Sequence, residues 1–311
     1  MSLGEFSLIE KFFAQRGEGA TVEVGIGDDA AALRVPVGHV AQLSTDTAIE
    51  GVHFPRDLPP ADIAYRSVMA AASDLAAMGA SPIGMLLAIT LPGADETWLS
   101  RFAEGVSAAS KATGLPLVGG DTTRGGLSVT VTVMGSTLAS CCLRRSGARP
   151  GDRVCVSGTL GDAAAGLAII EGHLTASDQT AAEFLTRRFT APTARLALGE
   201  SLLGVATSAI DLSDGLLADA EHIANASAVA IEIDSGKIPL SPAMRTLPDL
   251  DQSLQWALAG GDDYELLVTL PNGETVPDSL TEIGRVTSGR GVSCDQTLEN
   301  RGYDHFAGRS G

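Results

Sequence analysis

Six aspartates lie in segments made otherwise of small residues: Asp29 in Gly25-Ile-Gly-Asp-Asp-Ala30, Asp46 in Leu43-Ser-Thr-Asp-Thr47, Asp74 in Ala72-Ser-Asp-Leu75, Asp121 in Gly119-Gly-Asp-Thr-Thr123, and Asp211 with Asp214 in Ile210-Asp-Leu-Ser-Asp-Gly215. None has a basic residue within its own segment. Burying an unpaired carboxylate is costly, so these groups must face water or share a hard cation. If they converge, the chemistry they suit is Mg²⁺-assisted handling of phosphates. Taken singly, an Asp at a strand end or helix start is also ordinary turn and cap chemistry. That plainer reading is weakest at Asp74, which falls mid-helix among Ala70, Ala71 and Ala77.

Other segments add to the pattern. Gly119-Gly-Asp-Thr-Thr123 offers backbone N–H groups, hydroxyls and a carboxylate within five residues, a composition suited to phosphate oxygens and a metal together. His53, in a loop just past Asp46, reads equally as a phosphate contact or as surface decoration. Gly260-Gly-Asp-Asp-Tyr-Glu265 is a glycine turn entering a strand, and it could also hold a polar substrate ring. No GxxxxGK[ST] occurs, which argues against a Walker-type nucleotide site. Gly158-Thr-Leu-Gly161 lacks the third glycine of a dinucleotide turn and reads as close strand–helix packing. No Ser-His-Asp order and no activated cysteine can be argued.

The elements that must position these residues follow from periodicity. Phe6, Ile9, Phe12 and Phe13 predict an opening amphipathic helix. A strand over 40–45 leads to Asp46, an Ala-rich helix spans 61–78, and a buried strand spans 83–91. A helix over 96–113 presents Leu99, Phe102, Val106 and Ala109 on one face. A short strand over 116–118 stops at Gly119-Gly-Asp121, and 127–138 alternates Val with Thr as a strand. After a polar, turn-rich stretch over 144–152 come a strand at 153–157 and helices near 162–172, 179–189 and 193–204. A strand at 207–210 runs into Asp211, a helix follows from Asp214 to Ala226, and strands near 229–233 and 264–270 close the second half. The expected fold class is mixed α/β in two domains, 1–140 and 141–311. Strand ends and helix starts gather along a sheet edge, where open α/β proteins place ligands.

Composition narrows the partners. A net charge of −17 over 311 residues argues against nucleic acid, and bound divalent metals would be needed to attract an anionic substrate. The longest apolar run, 83–91, is about half of the ~20 residues a membrane helix needs, so no membrane partner is expected. No secretory signal is visible at the N-terminus. The four cysteines (Cys141, Cys142, Cys155, Cys294) lack metal-site spacing and read as thiols of a reducing cytoplasm.

In order along the chain, Gly25-Ile-Gly-Asp-Asp-Ala30, Ser44-Thr-Asp-Thr47 with Glu50-Gly-Val-His-Phe54, Ser73-Asp-Leu-Ala-Ala-Met-Gly-Ala80, Gly119-Gly-Asp-Thr-Thr123, Asp211-Leu-Ser-Asp-Gly-Leu216 and Gly260-Gly-Asp-Asp-Tyr-Glu-Leu266 resemble the motifs of the thiamine-monophosphate kinases. The opening Gly4-Glu-Phe6 and the closing Gly302-Tyr-Asp-His-Phe306 extend the resemblance over nearly the whole chain. Each motif is weak alone, and six in sequence are specific. The resemblance implies the two-domain fold of aminoimidazole ribonucleotide synthetase (PurM-like), a homodimer formed through the N-terminal domains, ATP with several Mg²⁺ between the domains, and transfer of phosphate to thiamine monophosphate in the cytoplasm. It implies metal ligation by Asp29, Ser44, Thr45, Asp46, Asp74, Asp121, Asp211 and Asp214. It assigns nucleotide contacts to Gly120, Asp121, Arg145 and Ser213, with Arg145 supporting the transition state. Thiamine-phosphate contacts fall to His53, Asp262 and an aromatic near Phe306. Asp262 departs from the family, which often has Glu there. The sibling selenophosphate synthetases would carry a reactive cysteine near the N-terminus, but the first here is Cys141. Hydrogenase-maturation carbamoyl dehydratases would end in a cysteine tail, but this chain ends Gly308-Arg-Ser-Gly311. A silent binding regulator has no physical reason to keep six costly carboxylates.

Overall fold

The computed structural model describes residues 5–13, 19–176, 178–296 and 301–303. They form two compact units, Met1–Leu75 with Gly79–Cys142, and Ala76–Met78 with Leu143–Gly311.

The first unit contains α1 (Glu5–Phe12), β1 (Val22–Val24), β2 (Ala32–Leu33), β3 (His39–Ile49), α2 (Pro60–Ala77), β4 (Ser81–Leu91), α3 (Glu96–Thr113), β5 (Leu117–Arg124) and β6 (Ser128–Leu138). Four strands make one sheet in the order β3-β6-β4-β5, antiparallel except for β4 with β5. The Val/Thr alternation of β6 decides the two faces. Val129, Val131 and Val133 are buried with Met85, Leu87 and Ile89 of β4, whereas Thr130, Thr132 and Met134 turn to the opposite face. That opposite face continues through Leu43, Thr45, Thr47 and Ile49 of β3, all exposed. The helix α3 starts where Asp95 Oδ1 accepts the N–H groups of Thr97 and Trp98 at 2.8 and 3.1 Å. Its predicted apolar face (Leu99, Phe102, Val106, Ala109) is buried. Burying Leu99, Phe102 and Val106 contributes about 1.5–3 kcal/mol each, and the Ala109 methyl less.

The second unit contains β7 (Arg153–Ser157), α4 (Asp162–Ile170), α5 (Gln179–Thr190), α6 (Leu196–Ser201), β8 (Ser208–Asp211), α7 (Leu216–Ser227), β9 (Ala230–Ile233), α8 (Pro242–Arg245), α9 (Leu250–Ala259), β10 (Leu266–Leu270), β11 (Leu280–Thr287) and β12 (Gly291–Cys294). Its six-stranded sheet has the order β12-β9-β11-β7-β10-β8, antiparallel but for β12 with β9. Both faces are covered: Val154, Val156, Ile210 and Leu267 join one core, while Cys155, Ala209, Leu266 and Val268 join another. All five residues of β10 are buried, which explains its unbroken apolar run Leu-Leu-Val-Thr-Leu.

Two sequence-based boundaries are corrected here. Asp46 and Asp121 do not follow strands but lie within them, because β3 runs on to Ile49 and β5 to Arg124. Thr47, Thr122 and Thr123 suit a pleated half-buried surface and carry the strands past each aspartate. The strands β11 and β12 and the helix α9 carry no sequence expectation, being short or weakly periodic.

Candidate functional site

In the first unit, Asp29, Gly120 and Asp121 line one cavity of ≈ 890 Å³, together with Asp28, Ala88, Thr130 and Thr132. Asp121 Oδ1 accepts the Thr122 N–H at 2.9 Å, and Asp28 Oδ1 accepts the Asp29 N–H at 2.8 Å. A Cβ at position 120 would lie 1.8 Å from the Leu87 carbonyl oxygen, so only glycine lets β5 run this close to β4 ahead of Asp121. Thr45 shares a hydrogen bond with Thr132 and Thr47 with Thr130, each at 2.9 Å, on the same open face.

Ser44 and Asp46 alternate with Thr45 and take the other face of β3. There the Ser44 hydroxyl donates to Asp74 Oδ2 of α2. Asp46 on β3 and Asp121 on β5 therefore stand on opposite edges of the sheet, three strand spacings of about 4.8 Å apart, and on opposite faces. The gathering along a single edge expected from the sequence does not occur within this unit, because both residues are mid-strand.

His53 sits in a tight turn whose N–H donates to the Ile49 carbonyl at 2.9 Å. Its Nδ1 accepts the Ile49 N–H at 3.0 Å. In the neutral ring the proton is thereby placed on Nε2. The buried Arg66 guanidinium donates to the His53 carbonyl and fixes the turn.

In the second unit, Asp211 ends β8 and is buried, with Ser213 and Asp214 half-buried in the loop before α7. One side chain shapes that loop. Asp219 Oδ2 accepts the N–H groups of Ser213, Asp214 and Gly215 at 3.0, 3.1 and 3.1 Å. Burial, then the charge of Asp214, pushes the Asp219 carboxyl up to about 7. Arg145 is exposed, and its carbonyl accepts the Ser227 hydroxyl at 3.2 Å. Asp262 is half-buried and accepts the Tyr264 hydroxyl at 2.8 Å. Phe306 lies outside the described residues.

Beside Asp262 runs a buried charge network. Glu265 receives Arg188 at 2.9 Å and Arg195 at 2.7 Å, with the Ser157 hydroxyl also donating to it. Asp263 Oδ2 accepts the Gly161 N–H at 2.7 Å, and burial raises its carboxyl to about 8. Asp162, also raised by burial, accepts the hydroxyls of Ser241 and Thr159. Sequence reasoning missed Asp219, Asp263, Glu265 and their arginines. The only local signal was the inward–outward alternation latent in Asp262-Asp-Tyr-Glu265, which needs the partners from α5 and α6 to acquire meaning.

The donor set fits a hard divalent cation: carboxylates with Ser and Thr hydroxyls, and no thiolate. Among the described residues, the group whose ligand atoms lie within 4.8 Å of one another is Asp214, Asp219 and His222. Among the described residues of the first unit no three acidic side chains come that close; there the donors are Ser44 with Asp74 and the cavity pair Asp29 and Asp121.

The two mixed α/β units are those of the AIR synthase related proteins. Residues 27–137 match the N-terminal domain of that family and residues 149–295 its C-terminal domain. The chain is 43% identical to the thiamine-monophosphate kinase of Salmonella typhimurium over 99% of both chains. The crystal structure of thiamine-monophosphate kinase from Stenotrophomonas maltophilia K279a is 42% identical, with a TM-score of 0.86 over 95% of this chain and 98% of that one. A structure of AaThiL complexed with AMPPCP and TMP is 35% identical, with a TM-score of 0.81 over 98% and 99%. The chain belongs to the thiamine-monophosphate kinase family, whose activity is the ATP-dependent phosphorylation of thiamine monophosphate.

Proposed function

We propose that the protein converts thiamine monophosphate to thiamine diphosphate by direct in-line transfer from ATP, with several Mg²⁺ held by Asp29, Ser44, Thr45, Asp46, Asp74, Asp121, Asp211 and Asp214. The observation that carries this reading is the cavity on which Asp29, Gly120 and Asp121 meet, where carboxylates and glycine backbone stand on an otherwise largely apolar wall. A terminal oxygen of the acceptor phosphate forms the new bond to the γ-phosphorus as the bond to the β,γ-bridging oxygen breaks, releasing ADP. A phosphate monoester has a second pKa of about 6, so the nucleophile is already an anion and no side-chain base is required. Bound Mg²⁺ supplies charge neutralisation between the two polyanions.

The chain's own residues orient the reactants. His53 presents Nε2–H as a donor to the acceptor phosphate, its tautomer set by the Ile49 N–H. Gly120 and Ser213 contact the nucleotide, and the exposed Arg145 reaches the transferred group. Asp262 takes the thiamine moiety, with Phe306 as an aromatic contact. The 1–140 domain holds ATP and metal, and 141–311 completes the nucleotide and thiamine-phosphate contacts. A cytoplasmic setting is in keeping with the four free thiols.

The reading includes a homodimer through the N-terminal sheet. Its support is the 11-residue edge strand β3 and the exposed Leu43 and Ile49 on the uncovered face. Because Asp46 and Asp121 lie on opposite edges of one sheet, the reading has them meet across two copies rather than within one. The decisive experiment incubates the protein with ATP, Mg²⁺ and thiamine monophosphate. Thiamine diphosphate is the expected product; ADP and inorganic phosphate without it would overturn the assignment.

A further inference from the structure

The loop over 260–265 holds two non-glycine residues in the left-handed region, Asp262 at φ 68° and Tyr264 at φ 51°. Side-chain-bearing residues rarely adopt it, and where they do the surrounding structure enforces it. The enforcement is visible on both sides. Asp263 and Glu265 turn inward, one onto the Gly161 N–H and the other onto Arg188 and Arg195. The backbone is laced to the neighbouring loop: the Asp262 N–H donates to the Ser213 carbonyl at 3.0 Å, the Tyr264 N–H to Leu212 at 2.8 Å, and the Leu212 N–H to Glu265 at 2.8 Å. A Cβ at Gly261 would lie 2.4 Å from the Ser213 carbonyl oxygen, so the approach cannot loosen.

The consequence is a paired outward display. Asp262 and Tyr264 project together, both half-buried, with the phenol hydroxyl donating to Asp262 Oδ1 at 2.8 Å. Glycine at either position would adopt the same backbone without strain. Keeping an acid and an aromatic there points to a use for the side chains themselves.

We infer that Tyr264 is a specificity-determining residue for the thiamine moiety. Its hydroxyl fixes the Asp262 carboxylate, and its electron-rich ring faces the thiazolium cation, which together select a cationic heteroaromatic phosphate ester. This rests on the kinase reading above.

The test is steady-state kinetics of Tyr264→Phe, Asp262→Asn and the double variant. Tyr264→Phe is expected to raise KM for thiamine monophosphate about tenfold, the scale of one hydrogen bond to a charged group. KM for ATP and kcat should hold within about twofold. The double variant should lose little more than Asp262→Asn alone, because the hydroxyl acts through that carboxylate. An unchanged KM for thiamine monophosphate overturns the inference, as does an equal loss toward both substrates, which would mark a collapsed loop. If Tyr264→Phe fails to fold, the wild type is compared on thiamine monophosphate and its uncharged deaza analogue, and equal KM values overturn the inference. If the wild type makes no thiamine diphosphate, the kinase reading fails separately. Calorimetric binding of thiamine monophosphate to wild type and Tyr264→Phe then decides this inference alone.

Discussion

The four-stranded sheet of the first unit and the six-stranded sheet of the second treat acidic residues in opposite ways. On the first, Asp29 and Asp121 are exposed on a cavity wall, and Asp46 and Asp74 are only half-buried. In the second, Asp162, Asp263 and Glu265 are almost wholly buried and are met by two arginines, two backbone N–H groups and three hydroxyls. Among the described residues, one face of the first sheet is only partly covered and carries an open cavity, while the second sheet is packed on both. Residue type therefore does not assign the job. The network around Glu265 and Asp263 is supplied with donors and holds the fold, whereas Asp29 and Asp121 on the cavity wall are available to a cation.

The largest effect should come from breaking the first region. Asp121→Asn or Asp46→Asn should lower turnover by about a hundredfold or more, as losses of electrostatic stabilisation do, with thermal unfolding unchanged. A wild-type rate would remove these residues from the site. Mixing the two inactive variants under conditions that exchange subunits sharpens the point. A composite dimeric site should recover about a quarter of the wild-type rate, since a two-fold mixed dimer regenerates one intact site. No recovery would leave each copy self-sufficient.

Breaking the second region should act on stability. Glu265→Gln leaves the half-buried Arg188 and Arg195 beside a neutral partner and should cost about 1.5–3 kcal/mol in urea unfolding, the scale of hydrogen bonds to a charged group. Full stability with lost activity would instead move Glu265 into the functional set.

A further test of the second region is its pH dependence. The Asp263 carboxyl is raised to about 8 from an ordinary 3.8, so the folded state favours its neutral form. The stability this gives is fully present below about pH 4 and is lost as pH rises toward 8, with a slope of at most about 1.4 kcal/mol per pH unit for one group. Asp263→Asn mimics the neutral form and should flatten the difference in unfolding free energy across that window. Parallel curves for both proteins would mean that Asp263 is ionised throughout.

Periodicity made much of this legible in advance. The 96–113 helix, the strand at 153–157 and the strand end at Asp211 stand where spacing put them, and Asp74 is helical as expected, though in the last turn of α2 rather than mid-helix. Local patterns suffice there because a helix face or a buried strand repeats within a few residues. The continuation of β3 and β5 through Asp46 and Asp121 was not legible, since pairing with β6 and β4 overrides the turn tendency of Asp and Gly.

By itself the sequence determined the chemistry on offer: hard oxygen donors in small-residue settings, two mixed α/β halves, and ordered motifs that mark the family. Only the tertiary structure decided which carboxylates are spoken for. Asp219, Asp263 and Glu265 look no different from Asp214 and Asp262 in the chain, and their roles come from donors on other elements. Burial and hydrogen-bond partners are non-local, and they determine whether a carboxylate serves the fold or a ligand.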